Sequence, residues 1–78
     1  MITVYTKLGC GTCDATKVWL NRNKIDYIPI DIELDRHARA FVESLGYTQM
    51  PVVVAGSDHW CGFRIDKLAA LKARHPHG

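Results

Sequence analysis

Apolar and polar positions alternate over Ile2–Thr6, a run rich in β-branched residues, and a period of two predicts a strand. Lys7-Leu8-Gly9 then reads as a short loop. From Gly11 to Asn23 the period lengthens to that of a helix, with Cys13, Thr16 and Leu20 on one face and Trp19 beside them. Asn21, Arg22, Asn23 and Lys24 end it in polar residues. A second strand is predicted over Ile25–Ile32, and Pro29 inside it points to the edge of a sheet.

Leu34-Asp35 opens the next helix, with Asp35 as its N-cap. Ala38, Phe41, Val42 and Leu45 fall at i, i+3, i+4 and i+7, an apolar stripe closed by Gly46 at C′. Tyr47-Thr48-Gln49-Met50-Pro51 forms a loop. Val52-Val53-Val54-Ala55 predicts a buried strand, and Gly56-Ser57-Asp58 supplies turn chemistry before His59-Trp60-Cys61, so the two runs form a hairpin. A last helix, near Ile65–Ala73, is expected to bury Ile65, Leu68 and Ala69, with Leu71 or Lys72 at its margin. The order β-α-β-α-β-β-α predicts an α/β fold, a four-stranded mixed sheet with three covering helices. Residues 1–74 are expected as one domain and 75–78 as a flexible polar tail.

Length and charge narrow the function. Seventy-eight residues make one small domain, and ten Lys+Arg against eight Asp+Glu, interspersed, is too weak a bias to argue for nucleic acid. Apolar runs of a few residues fall far short of the ~20 that span a bilayer, so no membrane partner is expected. The first residues lack the basic and apolar regions of a signal peptide. A cytoplasmic chain with reduced thiols is therefore expected, acting as a monomer.

Three cysteines in such a chain point to redox or metal chemistry rather than to stapling. Cys10-Gly11-Thr12-Cys13 sits where the first strand hands over to the first helix. Unpaired N–H groups and the positive dipole end favour a thiolate at Cys10, and Lys7 adds a favourable charge while Asp14 opposes it. Gly9 and Gly11 let another backbone approach closely. Cys10 can attack a substrate disulfide, and Cys13, three residues on, can release it. The alternative is half of a zinc site. Cys61, His37, His59, His75 and His77 are the other ligand candidates, but none forms a second pair at finger spacing. A zinc-binding or thiol-based interaction module without turnover is thus the competing function class; the redox reading needs no metal and no cofactor beyond the Cys10/Cys13 couple.

Strand, Cys-x-x-Cys, helix, strand, helix, x-Pro, hairpin and helix together resemble the thioredoxin superfamily in its glutaredoxin-sized form, up to about Lys72. More narrowly, the chain resembles the NrdH-redoxins. The likeness is carried by Val4-Tyr5-Thr6-Lys7, Cys10 to Lys17, Leu45-Gly46-Tyr47, Pro51 to Gly56, and Trp60-Cys61-Gly62-Phe63-Arg64-Ile65-Asp66, against the usual W-S-G-F-R-P-D. The resemblance implies a dithiol carrier that takes electrons from thioredoxin reductase and gives them to a class Ib ribonucleotide reductase. Cys10 would attack and Cys13 resolve. Pro51 would be cis, leaving the N–H and C=O of Met50 unpaired beside the sulfurs for an incoming peptide, with Thr48 and Gln49 lining the same groove.

Glutathione-using relatives carry an acidic cluster where this chain has Asp66 alone beside Arg64, so the resemblance disfavours glutathione. A glutaredoxin or mycoredoxin acting on low-molecular-weight mixed disulfides is the alternative. The chain departs from the family pattern at the spacer Gly11-Thr12, usually V-Q, at Cys61, usually serine, and at Ile65, usually proline. Trp60 and Phe63 are candidates for an apolar partner patch, or else pack the hairpin against the last helix. Arg64 is a candidate to hold the preceding loop through backbone carbonyls. Cys61 is expected to be a small buried residue and Trp19 to pack in or beside the core.

Overall fold

The computed structural model describes residues 1–74; the expected tail at 75–78 lies outside them. The elements are β1 (Ile2–Thr6), α1 (Gly11–Arg22), β2 (Tyr27–Asp31), α2 (Arg36–Ser44), β3 (Val52–Ala55), β4 (Asp58–Cys61) and α3 (Ile65–Arg74). The order is the expected one. The sheet runs β2-β1-β3-β4, with β1 parallel to β2 and antiparallel to β3, and β3 antiparallel to β4. Pro29, opposite Val4 on β2, stands on an edge strand as its missing N–H requires.

Side chains of a strand alternate between the two faces of a sheet, and that alternation divides the core. Ile2 and Val4 of β1, Val53 and Ala55 of β3 and Trp60 of β4 meet Leu20 of α1 and Leu68 and Leu71 of α3 in one cluster. The opposite face carries Tyr5, whose ring lies 5.6 Å from that of Phe41 on α2. Alpha-helix α1 buries Cys13, Thr16 and Leu20 as the periodicity predicts, and Trp19 packs half-buried against the core.

Both ends of α1 are built from its own sequence. Cys10 is the N-cap, and its sulfur accepts the Cys13 N–H. At the C-terminus Ile25 N–H bonds the Leu20 carbonyl at 3.0 Å and Lys24 N–H bonds the Asn21 carbonyl at 3.1 Å, the paired bonds of a Schellman motif. Lys24 takes the left-handed conformation at φ 56°, where glycine is the usual residue. Ile25 then turns back into the core. Asp35 caps α2, accepting the Ala38 N–H at 3.0 Å, and Gly46, at φ 84°, follows its C-cap Leu45.

Two apolar stripes are narrower than predicted. On α2 Ala38 and Val42 are buried and Leu45 half-buried, but Phe41 is exposed at the rim against Tyr5. On α3 Leu68 and Leu71 are buried, whereas Ile65 and Ala69 are exposed. Ile65 is the first residue of the helix. The full burial of Leu71 shows that the buried seam runs through 68 and 71.

Candidate active site

Strand β1 delivers the chain to a loop at Lys7–Gly9, and α1 starts immediately after Cys10. Cys10 is extended, at φ −105° and ψ 107°, which holds its sulfur in front of the first turn of the helix. The Cys13 N–H points at that sulfur from 3.2 Å. An acceptor at this place meets both an unpaired donor and the positive end of the helix dipole, and a sulfur that carries charge gains most from both. Asp14, expected to oppose this charge, faces solvent and pairs with Lys17 at 3.7 Å.

Cys10 and Cys13 are joined in a disulfide, with Cα atoms 5.2 Å apart. Their accessibility differs in a way that matters chemically. Cys10 retains 9% of its surface, and Cys13 none. An incoming sulfur reaches Cys10. Beside it Gly11 is exposed, and a Cβ placed there would meet nothing within 4 Å, so this flank is open to another chain.

Thr12 ties the helix start to the loop before β3. Its hydroxyl donates to the Met50 carbonyl at 2.7 Å and lies 3.4 Å from Cys10 Sγ. Thr16, buried in the same helix, donates its hydroxyl to the Thr12 carbonyl at 2.8 Å and fixes the Thr12 backbone. The Met50–Pro51 bond is cis, as expected. Pro51 is buried, and its carbonyl accepts the Gly62 N–H at 2.8 Å. The expectation that Met50 leaves its carbonyl free is corrected by the Thr12 hydroxyl. A polar residue in a helix first turn gives no sign of a partner 38 positions away.

Lys7, Cys10, Thr12, Thr48, Gln49 and Met50, all candidates from the sequence, line one shallow groove of about 410 Å³, and the candidates Gly11 and Pro51 are not part of its lining. Gly62 completes it, a residue that belongs to the run carrying the family likeness but is not among the site candidates. A larger cavity of about 550 Å³ shares Lys7, Thr48 and Met50 and continues over α2, where Arg39 pairs with Glu43 at 3.7 Å.

The three downstream candidates fall elsewhere. Trp60 is 3% exposed and belongs to the core, so it offers no surface to a partner. The alternation along β4 turns its ring inward onto α1 and α3. Phe63 is half-buried and packs against the same cluster. Arg64 does not hold the preceding loop; its Nε and Nη2 donate to the two carboxylate oxygens of Asp66 at 3.0 and 2.8 Å. These hydrogen bonds hold the Asp66 carboxyl below its usual range and raise the guanidinium. A planar fork beside a carboxylate two residues away outcompetes lone carbonyls, because both partners are charged. Cys61 is free and only partly covered, not fully buried as expected. It lies opposite Val52 on the sheet face away from Trp60.

Among the described residues no group of three or more His, Cys, Asp and Glu side chains is placed to hold a metal ion. His59, one of the candidate ligands, has its Nδ1 2.7 Å from the Tyr47 hydroxyl; His75 and His77 lie outside the described residues. No helix among them is long and apolar enough to cross a membrane.

Comparison with known proteins agrees with this geometry. The glutaredoxin family profile matches residues 2–60. The glutaredoxin-like protein NrdH of Escherichia coli K12 is 36% identical over 75 residues, 96% of this chain and 89% of its own length. The glutaredoxin-like protein NrdH of Lactococcus lactis subsp. cremoris is 32% identical over 71 residues, covering 91% of this chain and 99% of its own. The solved structure of the NrdH-redoxin from Escherichia coli superposes with a TM-score of 0.89 at 35% identity, covering 99% of this chain and 97% of that one.

Proposed function

This chain belongs to the glutaredoxin family and, within it, to the NrdH-redoxins, thiol–disulfide oxidoreductases with a Cys-x-x-Cys pair; from that premise we propose that it carries electrons from thioredoxin reductase to a class Ib ribonucleotide reductase, in the cytoplasm. Cys10 is the attacking thiol. Its thiolate bonds one sulfur of the substrate disulfide and expels the other as a thiolate. Cys13, giving up its proton, then attacks Cys10 Sγ and expels the second substrate sulfur. The substrate disulfide gains two electrons, one proton from Cys13 and one from solvent, and the Cys10–Cys13 disulfide is left to be reduced in turn. The exposure of Cys10 against the complete burial of Cys13 supports this order, as does the Cys13 N–H aimed at Cys10 Sγ. In the groove, Lys7 places a positive charge beside the sulfur, and Thr48, Gln49 and the Met50 backbone meet the substrate chain.

The observation that carries the choice of reductant is the Arg64–Asp66 pair. Asp66 is the one acid where a glutathione amine would need a cluster, and both of its oxygens are already engaged by a guanidinium. The Escherichia coli relative is described as having a thioredoxin-like activity profile, which agrees with this reading. The test is insulin reduction driven by NADPH and thioredoxin reductase, run beside a glutathione-coupled assay. Turnover is expected with the reductase; equal turnover with glutathione alone would replace this reading by that of a glutaredoxin. Cys13→Ser should trap a mixed disulfide through Cys10, and trapping by Cys10→Ser instead would reverse the two roles.

A further inference from the structure

We propose that Thr12 couples the redox state of Cys10 to the availability of the Met50 carbonyl, so that the groove offers a free docking acceptor only when the protein is reduced. The inference rests on the reading of Cys10 as the attacking thiol. One hydroxyl proton faces two acceptors: the Met50 carbonyl oxygen at 2.7 Å and Cys10 Sγ at 3.4 Å. A hydroxyl has a single proton to donate. In the disulfide the sulfur is neutral and a weak acceptor, and the hydroxyl is given to the carbonyl. Reduction by the reductase adds two electrons and one proton to the disulfide, leaving Cys10 as a thiolate and Cys13 as a thiol. A charged acceptor makes a hydrogen bond roughly twice as strong as a neutral one. The balance between the two acceptors then reverses.

The change needs little movement. The Thr12 backbone is pinned through its carbonyl by buried Thr16, and Thr12 Oγ1 already stands within sulfur hydrogen-bonding range of Cys10. Rotation of the O–H about its C–O bond redirects the proton; Thr12 neither loses nor gains one. The Met50 carbonyl, on the wall of the groove that holds Cys10, is then open to the N–H of an extended substrate strand. When the Cys10–Cys13 disulfide re-forms, the hydroxyl returns to the carbonyl and competes with the product for it. Thr12 is in this sense a positioning residue that favours binding before the exchange and release after it.

Thr12→Val keeps the shape and removes the hydroxyl, and Thr12→Ser restores it. Three readouts apply: the ¹³C shift of the Met50 carbonyl in both redox forms, the pH profile of iodoacetamide alkylation of the reduced form with the modified cysteine mapped by mass, and titration of both forms with an insulin B-chain peptide whose cysteines are replaced by serine. In the native protein reduction should move the Met50 carbonyl upfield, and the peptide should bind the reduced form more tightly. In Thr12→Val the carbonyl should stay upfield in both forms and the preference of the peptide should vanish. The Cys10 alkylation midpoint should rise by roughly one pH unit, as loss of a hydrogen bond to a charged group implies. Thr12→Ser should recover all three. A Met50 carbonyl that responds to reduction equally in Thr12→Val overturns the coupling and leaves the role of Cys10 standing. Alkylation of Cys13 ahead of Cys10 overturns both.

Discussion

Trp60 belongs to the run that carries the family likeness, where it is a candidate partner contact, and it is also buried in the core; the two readings predict opposite consequences for its removal. A partner-contact tryptophan would cost affinity and leave the fold intact. Trp60 is 3% exposed and lies among Val53, Leu68 and Leu71, so Trp60→Ala should act on folding. Truncating a buried Trp costs about 3–5 kcal/mol. A chain of 78 residues at ~0.05–0.15 kcal/mol per residue holds roughly 4–12 kcal/mol in all. The variant therefore forfeits from about a quarter to all of its stability. For a domain of this size ~1 kcal/mol moves Tm by about 4–8 °C, so a fall of roughly 12–40 °C is expected. Far-UV circular dichroism through a thermal ramp, on the oxidised protein, reads it directly. Insulin turnover measured below the new midpoint should keep a near-native KM for thioredoxin reductase. An unchanged midpoint with a raised KM would refute the placement of Trp60 in the core.

Lys24→Gly should raise Tm by several degrees, because Lys24 sits at φ 56° and relief of a left-handed non-glycine residue contributes about 1 kcal/mol; a lower Tm would contradict the Schellman reading. Asp66 has a carboxyl held below its ordinary value of 3.8 by the Arg64 hydrogen bonds, so its contribution is present above that value and disappears as pH falls through the folded one. Asp66→Asn should therefore lose a little Tm at neutral pH and converge with the native protein in acid, and a difference that stays constant from neutral to strongly acid pH would argue against the pair. Cys61→Ser restores the residue usual in the family and should leave turnover with thioredoxin reductase nearly unchanged; loss of most of the activity would make Cys61 a working thiol.

Period and punctuation made most of the architecture legible. The switch from alternation at Ile2–Thr6 to helical spacing at Cys13, Thr16 and Leu20 located β1 and α1, and Pro29 alone placed β2 at the edge. Asp35 and Gly46 bounded α2. Periodicity names a face, however, and not the depth of what covers it. Phe41 and Ile65 lie on the apolar sides of their helices and still reach solvent. The site divides the same way. Cys10, Cys13, Lys7 and the loop at Thr48–Met50 could be assembled from order and resemblance, since a strand, a helix start and an x-Pro loop are all marked in the chain. The bond from Thr12 to Met50 and the fork between Arg64 and Asp66 are choices among competing polar partners. Only the folded arrangement decides those.

Pro29 at the rim of the sheet has a bearing on how the molecule behaves in a crowded solution. Under the proposed function the backbone at Met50 invites a substrate strand, and every sheet edge is a second invitation. The β2 rim lacks one donor at Pro29, and the β4 rim is four residues long, with Asp58 paired to Lys67 at 3.9 Å. Short strands, charge and proline are the devices by which natural sheets discourage unwanted pairing. Both rims of the described sheet thus carry features that oppose the addition of a further strand.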